Sequence, residues 1–530
     1  MTCTVVPTHK RSFGQSGLDA DPELGGVAKE QKLVHLEDEA RAASLDTLPT
    51  EILGHIASYL STPELLSLRL ANRTIEDQLF NDFAAYYFTK KQFMLTPESL
   101  QCLVDISLHP KLSTVLEHVI ISLDKYRLDL TLNNFNGGDP ATLHARAATY
   151  GQGAYDQAAF LSSGQDRQLL AQAFRNLPNL RTVGLRDYNS GMRQRDGEGA
   201  QWRAYGATTV LQNTGMSLLG FDGVFGPHVA SRQYADTGLA MIFAARAFTV
   251  VLQALGESAA TPKHVEILTR DRAHALPDHA FHLPPYLAPT VAPVLSRLES
   301  LLLTVNLRTI FVPATDSPGS VPGYALQNLL SLTPNLAHLR LNFTADQSTA
   351  ANVYPFLDRL AGSGSQLLPR LSHLDFGMMT AVDRECLFRV VQRWSKTLKG
   401  LSFWKVSLSD SAGHQAEPHP QEKPNRWAQL LVRLRKAAPG LARMSVGCLT
   451  QQFGGHFLSV TLKVDGKGTP ANRLYGPEDM RDLKVFRAML ERELQVSWLE
   501  DHEEDGEEHD SDSWESGDEE DDHEDEEEGG

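Results

Sequence analysis

The stretch YALQNLLSLTPNLAHLRL, residues 324 to 341, joins a helical pattern to a short run with the spacing L-x-x-L-x-L. Apolar residues in its first part recur at the steps that line one face of a helix. Beyond Pro334, Leu339 and Leu341 alternate with other residues, as is typical of a strand. A short strand that directly follows a helix is the elementary unit of many repeat arrays. The stretch therefore predicts one such unit.

The same spacing recurs, with relaxed choices at the apolar positions, in LRTVGL (180–185), LESLLL (298–303), LSHLDF (371–376), LKGLSF (398–403) and LARMSV (441–446). Most of these segments also follow a helical pattern and a Pro or Gly. We expect an α+β or α/β repeat in which residues 91–499 form an irregular solenoid that resembles leucine-rich-repeat proteins. An ordinary α/β domain with parallel strands remains the alternative, because it alternates helix and strand in the same way. No Gly-rich phosphate loop follows any of these segments, so a nucleotide-binding enzyme is not indicated.

The end of the array is predicted from two further patterns. FLSVTLKV, residues 457–464, alternates apolar and polar residues and is expected to be the last strand. A capping helix is expected from about Pro477 to Leu499, because a stack of repeats needs a polar-backed element at its end. Its buried face is predicted to hold Met480, Leu483, Phe486, Leu490 and Leu494.

Length and charge divide the 530-residue chain into a body and an acidic tail. The chain is too long for one ordinary core. Residues 500–530 hold 20 Asp or Glu and no Lys or Arg, whereas residues 1–499 hold 46 acidic and 49 basic side chains. The body has no basic stripe that would neutralise phosphates, so no nucleic-acid partner is expected. The tail and residues 1–44 are expected to be disordered.

Cysteine usage and hydropathy favour a reducing intracellular compartment, the cytoplasm or the nucleus. The four cysteines lie far apart and form no CxxC pair, which argues against a disulfide framework. The N-terminus lacks the apolar region of a signal peptide. The longest apolar run, residues 239–255, carries Arg246 at its middle and is shorter than the roughly 20 residues of a membrane span. We therefore expect no membrane partner.

The segment LPTEILGHIASYLSTPELLSLRLANR, residues 48–73, concentrates apolar residues on two successive helical patterns. Pro49 and Pro63 stand where a first helical turn tolerates proline. Ser61 and Thr62 offer capping oxygens before the second pattern, and a third begins near Ile75. Three helices this short cannot bury their apolar faces against one another alone. The surplus face is expected to pack on the rest of the chain or on a partner.

The order L-P-x-E-I-L-x-x-I-x-x-Y-L followed by P-E-L-L-x-L-R-x-x-N-R resembles an F-box. That resemblance implies a domain at residues 45–90 that docks on the Skp-family adaptor of a cullin-RING ubiquitin ligase. Asn72 and Arg73 stand where the family often has Cys or Ser followed by Lys or Arg, a mild departure from its pattern. By position in the motif, the resemblance implies these adaptor-facing residues: Leu48, Pro49, Ile52, Leu53, Ile56, Leu60, Leu65 and Leu68.

The segment RDYNSGMRQRDGEGAQWRAYG, residues 186–206, is long, Gly-rich and rich in Arg and aromatic residues. We call it the Arg-rich segment; it is similar to a stretch of fungal F-box proteins. Long loops inside a compact array are usually functional or disordered, and Arg and aromatic residues are enriched in binding hot spots. One hypothesis is therefore a substrate-binding loop that uses Arg193, Arg195, Trp202, Arg203 and Tyr205. Packing of the loop against its own chain is the alternative.

The sequence offers little that indicates metal or catalytic chemistry. His274, Asp278, His279 and His282 lie close in sequence, but their Pro-rich surroundings fit no usual zinc spacing. HExxH, GxSxG and GxxxxGK[ST] do not occur. We expect no metal, no cofactor and no catalytic residue.

The resemblance implies a non-catalytic substrate receptor that binds the Skp adaptor, through it a cullin, and an unknown protein substrate. The alternative is a scaffold, or an acidic-tailed protein that binds basic partners.

Overall fold

The computed structural model describes residues 45–127, 130, 139–197, 200–218, 230–307, 321–344, 347–362, 367–409, 423–453, 456–464 and 469–498. The two segments predicted to be disordered, 1–44 and 500–530, lie outside these ranges. The chain divides between Asp82 and Phe83 into two compact units. The predicted F-box range of 45–90 extends across this division.

The first unit contains short helices that lie close together in sequence. They are α1 Thr50–Ser58, α2 Thr62–Ala71 and α3 Arg73–Phe88, and the last of these continues into the second unit. Asn72 Nδ2 donates to Asp46 at 3.0 Å, and Arg69 pairs with Glu76 at 2.5 Å. The first contact holds the residues before α1 against the junction of α2 and α3, and the second joins α2 to α3.

The second unit alternates helices and strands along most of its length. Its further helices are α4 Pro97–Leu108, α5 Pro140–Ser163, α6 Gln165–Arg175, α7 Ala207–Thr214, α8 Ala230–Ser258, α9 Ala288–Leu295, α10 Tyr324–Ser331, α11 Gln347–Gly362, α12 Arg384–Arg393, α13 Arg426–Ala437 and α14 Leu483–Glu493. Its strands are β1 Lys90–Met94, β2 His118–Ser122, β3 Thr182–Arg186, β4 Ser190–Met192, β5 Gln201–Trp202, β6 His264–Leu268, β7 Leu276–Pro277, β8 Ser300–Asn306, β9 His338–Phe343, β10 His373–Gly377, β11 Val382–Asp383, β12 Gly400–Trp404, β13 Ser407–Ser409, β14 Arg443–Gly447, β15 Leu449–Phe453, β16 His456–Leu462, β17 Asn472–Tyr475 and β18 Leu494–Val496.

The main sheet is largely parallel, and its strands lie in the order β1-β2-β3-β6-β8-β9-β10-β12-β14-β17. Only β17 runs antiparallel to its neighbour along this order, and β7 pairs with β8 beside it. A second sheet has the order β11-β13-β15-β16-β18, and β4 and β5 form a small ribbon. The protein therefore has a mixed α/β fold with a largely parallel central sheet, as the alternation of helix and strand predicts.

All six L-x-x-L-x-L segments contain a strand of the main sheet, namely β3, β8, β9, β10, β12 and β14. Their registers match, so that Leu339 pairs with Leu301 on one side and Leu374 on the other. These leucines are buried, and one cluster of buried apolar side chains extends from Phe93 to Leu494. The equivalent positions of each segment therefore stack across the sheet.

The turn before each parallel strand repeats one hydrogen-bond arrangement. Two successive N–H groups donate to one carbonyl of the preceding turn: Ala337 and His338 donate to Glu299 O at 2.8 and 2.9 Å. Ser372 and His373 donate to Ala337 O in the same way. The arrangement occurs before β2, β3, β6, β8, β9, β10, β12 and β14, and β7 lacks it. It fixes the register of neighbouring strands at their N-terminal ends.

A residue in the left-handed backbone conformation directly follows each of β10, β12 and β14. Met378, Lys405 and Cys448 have φ values of 56°, 51° and 49°. The chain then continues into β11, β13 and β15 of the second sheet. Met378 N–H donates to Trp404 O at 2.8 Å and Lys405 N–H donates to Gly447 O at 3.0 Å. The three residues therefore form a stacked corner between the two sheets.

The predicted end of the array is partly wrong. β16 occupies the expected last strand, but β17 and β18 follow it. The helix α14 is shorter than predicted, because Asp482 caps its first turn and Leu494 leaves the helix to pair with Leu462 of β16. Four of the five expected residues, Met480, Phe486, Leu490 and Leu494, are buried, whereas Leu483 is exposed.

Within the described residues one helical stretch, Gly238–Ser258 of α8, is long and apolar enough to cross a membrane, with a mean hydropathy of 1.8. In the fold 61% of its most apolar window is buried. Arg246, at its middle, pairs with the buried carboxylate of Asp166 at 2.6 Å. This environment is typical of a core helix of a folded domain.

Candidate functional site

The first unit exposes apolar side chains along one face of α1. Ile52 and Ile56 are 50% and 36% exposed, and Tyr59, the residue that ends the helix, is 78% exposed. Their spacing of four and three residues places them on one stripe. Leu66 and Leu70 form a similar exposed pair on α2. We call Ile52, Ile56 and Tyr59 the α1 face; exposed side chains of this size on one stripe are typical of a protein-binding surface.

Local interactions order the helices that carry this surface. Glu64 accepts hydrogen bonds from the backbone N–H and the hydroxyl of Ser61, at 2.9 and 2.7 Å, in the capping box that begins α2. The same bonds lower the pKa of Glu64. On α1 the ring of His55 lies edge-on to Tyr59, with 5.2 Å between ring centroids. These contacts fix the end of α1 and the turn that follows it, and so fix the position of the α1 face.

The eight residues expected to face the adaptor differ in exposure. Pro49, Ile52 and Ile56 are exposed, and Leu48, Leu60 and Leu68 are half-buried. Leu53 and Leu65 are buried, Leu53 completely. Sequence reasoning assigned Ile52 and Leu53 to one wide face, whereas the structure exposes one and buries the other. The same helical spacing predicts Tyr59 on this face, but the adaptor-facing residues implied by the F-box resemblance do not include it.

The Arg-rich segment forms the ribbon of β4 and β5, with a 3-10 turn at Gln194–Asp196. Arg193 stabilises the turn: its Nε donates to Asp196 at 2.6 Å and its N–H donates to Ala200 O at 2.7 Å. The ring of Trp202 packs against Tyr86 and Tyr87, at centroid distances of 5.6 and 5.5 Å. The segment is therefore packed against the start of the second unit.

Three cationic side chains lie against the rings of this aromatic cluster. The Arg193 guanidinium lies 5.3 Å from the Trp202 ring centroid, and Arg195 lies 5.1 Å from that of Tyr86. Lys91 Nζ lies 5.8 Å from the Trp202 ring on another side. Burial lowers the pKa of Lys91. Such contacts favour the cluster by about 0.5–2 kcal/mol each.

The end of the segment covers the edge strand β1. Tyr205 N–H donates to Gln92 O at 2.8 Å, and the Tyr205 ring lies 6.4 Å from that of Phe93. Uncovered edges are sites of unwanted strand pairing. Four of the five predicted substrate-binding residues thus contact their own chain, and only Arg203 is exposed without a contact of this kind. This placement favours the packing alternative.

Two of the four residues considered for a metal site, His274 and Asp278, bind carboxylate and backbone groups instead. His274 Nδ1 lies 3.1 Å from Asp187, which also accepts N–H bonds from Arg270 and Asp271 at 2.8 and 2.9 Å. Asp278 accepts the N–H groups of Ala325 and Leu326 at the start of α10, although burial raises its pKa. Within the described ranges no group of three or more His, Cys, Asp or Glu side chains is arranged to hold a metal ion.

No protein-family model matches the sequence, and no curated protein matches it significantly.

Proposed function

We propose that this protein is the substrate-recognition subunit of a Skp-cullin-F-box ubiquitin ligase, with an F-box at residues 45–90. The observation that carries the proposal is the exposed α1 face, which lies within the motif that resembles an F-box. Desolvated apolar anchors of this kind supply most of the free energy of a protein interface. The face would dock on the Skp-family adaptor, and through it on a cullin.

The body would be an irregular array similar to leucine-rich repeats. This part of the proposal is supported by the hydrogen-bond arrangement that recurs before most strands of the main sheet from β2 to β14. In-register stacking of helix–strand units is the property that defines repeat arrays. The array would present a protein substrate near the ubiquitin-loaded enzyme and raise the local concentration of substrate lysines. The protein would act in the cytoplasm or nucleus and carry no catalytic residue.

The proposal is tested by binding of the full chain to a recombinant Skp-family adaptor. The variant Ile52→Asp/Ile56→Asp places two charges on the α1 face, where docking would bury them without partners. This burial costs several kcal/mol, so affinity should fall by about a thousandfold or more. The variant should remain folded, because both positions are exposed in the free protein.

The matched control is Val485→Asp, a charge at an apolar residue of α14 that is 63% exposed. It should bind the adaptor as the wild type does. Failure of the folded wild type to bind, or equal binding by the Ile52→Asp/Ile56→Asp variant, would rule out the proposed docking face.

The alternative function, a scaffold or binding protein for basic partners, rests on the 20 carboxylates of residues 500–530. It predicts a different result when residues 500–530 are removed from the full chain. Deletion of residues 500–530 would abolish partner capture if the alternative holds. In a substrate receptor the same deletion would leave adaptor binding unchanged.

A further inference from the structure

The three turns that lead into β10, β12 and β14 carry uncompensated positive charge. Their sequences, LLPRLSH (367–373), WSKTLKG (394–400) and KAAPGLAR (436–443), contain no Asp or Glu. Their Lys and Arg side chains are all exposed, and none forms an ion pair with another residue that the structure describes. We call this set the cationic edge: Arg370, Lys396, Lys399, Lys436 and Arg443.

Backbone hydrogen bonds stack these turns directly on one another. Lys399 N–H donates to Ser372 O at 2.7 Å, and Ala442 N–H donates to Lys399 O at 2.8 Å. Neighbouring strands lie about 4.8 Å apart, so the three turns span about 10 Å. This span is close to the screening length of about 8 Å at physiological salt. The five charges therefore act together on an approaching anion.

In the turns before earlier strands, at the same edge of the sheet, acidic side chains neutralise the positive charges of Arg181 and Lys263. Arg181 lies 3.6 Å from Glu117, and Lys263 lies 3.0 Å from Glu299. The sequence shows the same contrast: residues 367–498, which include all three turns, hold 20 Lys or Arg and 12 Asp or Glu, whereas residues 1–366 hold 29 and 34. The positive surplus is confined to the last part of the body.

Histidine adds nothing to this charge near neutral pH. His373 lies in the first of the three turns and is exposed. Partial burial of its ring lowers its pKa, and the positive charges of Arg443 and Lys399 lower it further. The field of the cationic edge therefore comes from Lys and Arg alone, and it persists across the physiological pH range.

The last residue described before the acidic residues 500–530 belongs to this part of the body. Trp498, the last residue described, packs edge-on against Phe453 of the second sheet, with 5.1 Å between ring centroids. A random coil of some 30 residues has an end-to-end distance of roughly 30 Å, and repulsion between like charges extends an acidic chain further. Phe453 and Arg443 of the cationic edge are ten residues apart, through β15 and β14, so they lie no more than about 36 Å apart. A tether whose length matches the distance it must cover gives an effective concentration of about millimolar.

We propose that the acidic residues 500–530 bind in cis to the cationic edge. Each exposed ion pair is weak, but five clustered cations, 20 tethered carboxylates and a short tether add up to a populated contact. The contact would shield the edge from other acidic molecules, and it would weaken as salt rises. This inference is independent of the proposed function.

Zero-length carbodiimide cross-linking of the full chain tests the contact, because it joins carboxylates only to amines in direct contact. Tail cross-links should concentrate on Lys396, Lys399 and Lys436 over Lys463 and Lys484, two exposed lysines that lie nearer in sequence to the last described residue. Their yield should fall between about 50 and 500 mM salt. A mixture of isotope-labelled and unlabelled chains identifies which copy supplies the tail.

The variant Arg370→Glu/Arg443→Glu keeps the three reporter lysines and reverses their field. Their cross-links should fall about tenfold, the equivalent of losing two exposed ion pairs. The matched control Arg175→Glu/Arg203→Glu reverses two exposed arginines near the β1–β3 end of the main sheet and should leave the yield unchanged. Absent or evenly spread cross-links, insensitivity to the variant in chains that melt as the wild type does, or cross-links joining labelled to unlabelled chains would overturn the proposal.

Discussion

The indole ring of Trp202 lies edge-on to the phenol ring of Tyr87, with 5.5 Å between their centroids and an interplanar angle of 72°. This contact joins the Arg-rich segment to the end of α3, and Tyr205 then pairs with β1. A segment whose composition suggests recognition thus contributes to the edge of the main sheet.

Trp202→Ala should lower the free energy of unfolding by about 2 kcal/mol. The value lies below the 3–5 kcal/mol typical of a fully buried aromatic, because Trp202 is only half-buried. Urea unfolding monitored by circular dichroism measures the change. Arg203→Ala, next in sequence but exposed, should change stability by less than about 0.5 kcal/mol. Equal stability of the Trp202 variant and the wild type would contradict a structural role for the segment.

Neighbouring residues on α1 should respond very differently to truncation. Leu53→Ala removes a fully buried side chain and should lower the free energy of unfolding by about 3 kcal/mol. Ile52→Ala removes a half-exposed side chain and should cost less than about 1 kcal/mol. Thermal and urea unfolding compare the two variants. Similar costs would mean that α1 does not bury the face described here.

Acid should destabilise the fold through His118. Burial, followed by the positive charges of Lys90 and Arg186, lowers the pKa of His118 to about 2. The unfolded chain, with a His pKa of about 6.5, binds a proton below that pH and the folded chain does not. Stability should therefore fall as pH falls from about 6.5 towards 2, by up to about 1.4 kcal/mol per pH unit for this group.

His118→Gln removes this dependence and leaves a polar side chain at the position. The difference between wild type and variant in the slope of unfolding free energy against pH, measured from pH 6.5 to 4.5, isolates the contribution of His118. His144→Gln at an exposed position is the control. A variant slope equal to that of the wild type would show that His118 is protonated in the folded protein.

The stacked corner after β10 should tolerate asparagine better than its natural residue. Met378 has a φ of 56°, a conformation that costs roughly 1 kcal/mol or more for most residues and less for Asn. Met378→Asn should raise the free energy of unfolding by about 0.5 kcal/mol. Met378→Val should lower it by about 1 kcal/mol, because β-branched side chains are least suited to this conformation. Thermal unfolding of the pair checks the sign of both changes.

The sequence predicts a strand of the main sheet wherever the L-x-x-L-x-L spacing occurs. β9 and β10 are examples, since their inward positions hold Leu and Phe at two-residue spacing. β6 was missed because Pro262 stands where the motif has its first Leu. β1 was missed because Lys91 stands at an inward position of KKQFM. In both strands pairing with neighbours compensates for a weak local pattern.

The second sheet and the site depend on contacts that local patterns do not encode. β11 and β13 are two and three residues long, and their existence follows from the stacked corner rather than from their own sequence. On α1 the spacing predicted an apolar stripe, but it did not distinguish Ile52 from Leu53. For the Arg-rich segment, composition could not reveal that Trp202 packs on Tyr87, which lies 115 positions away in the chain.

The two N–H groups that share a carbonyl at each turn fix only the N-terminal end of the strand that follows. The route from helix to strand accordingly varies little in length, from Leu295 to Ser300 at the short end to Gly362 to His373 at the long end. The route from a strand to the next helix varies widely, from Phe343 to Gln347 in one unit and from Trp404 to Arg426 in another. Insertions that enter after a strand leave the register of the sheet unchanged. New peptide sequence can therefore be grafted on that side of the sheet, by evolution or by design, without altering the scaffold that carries it.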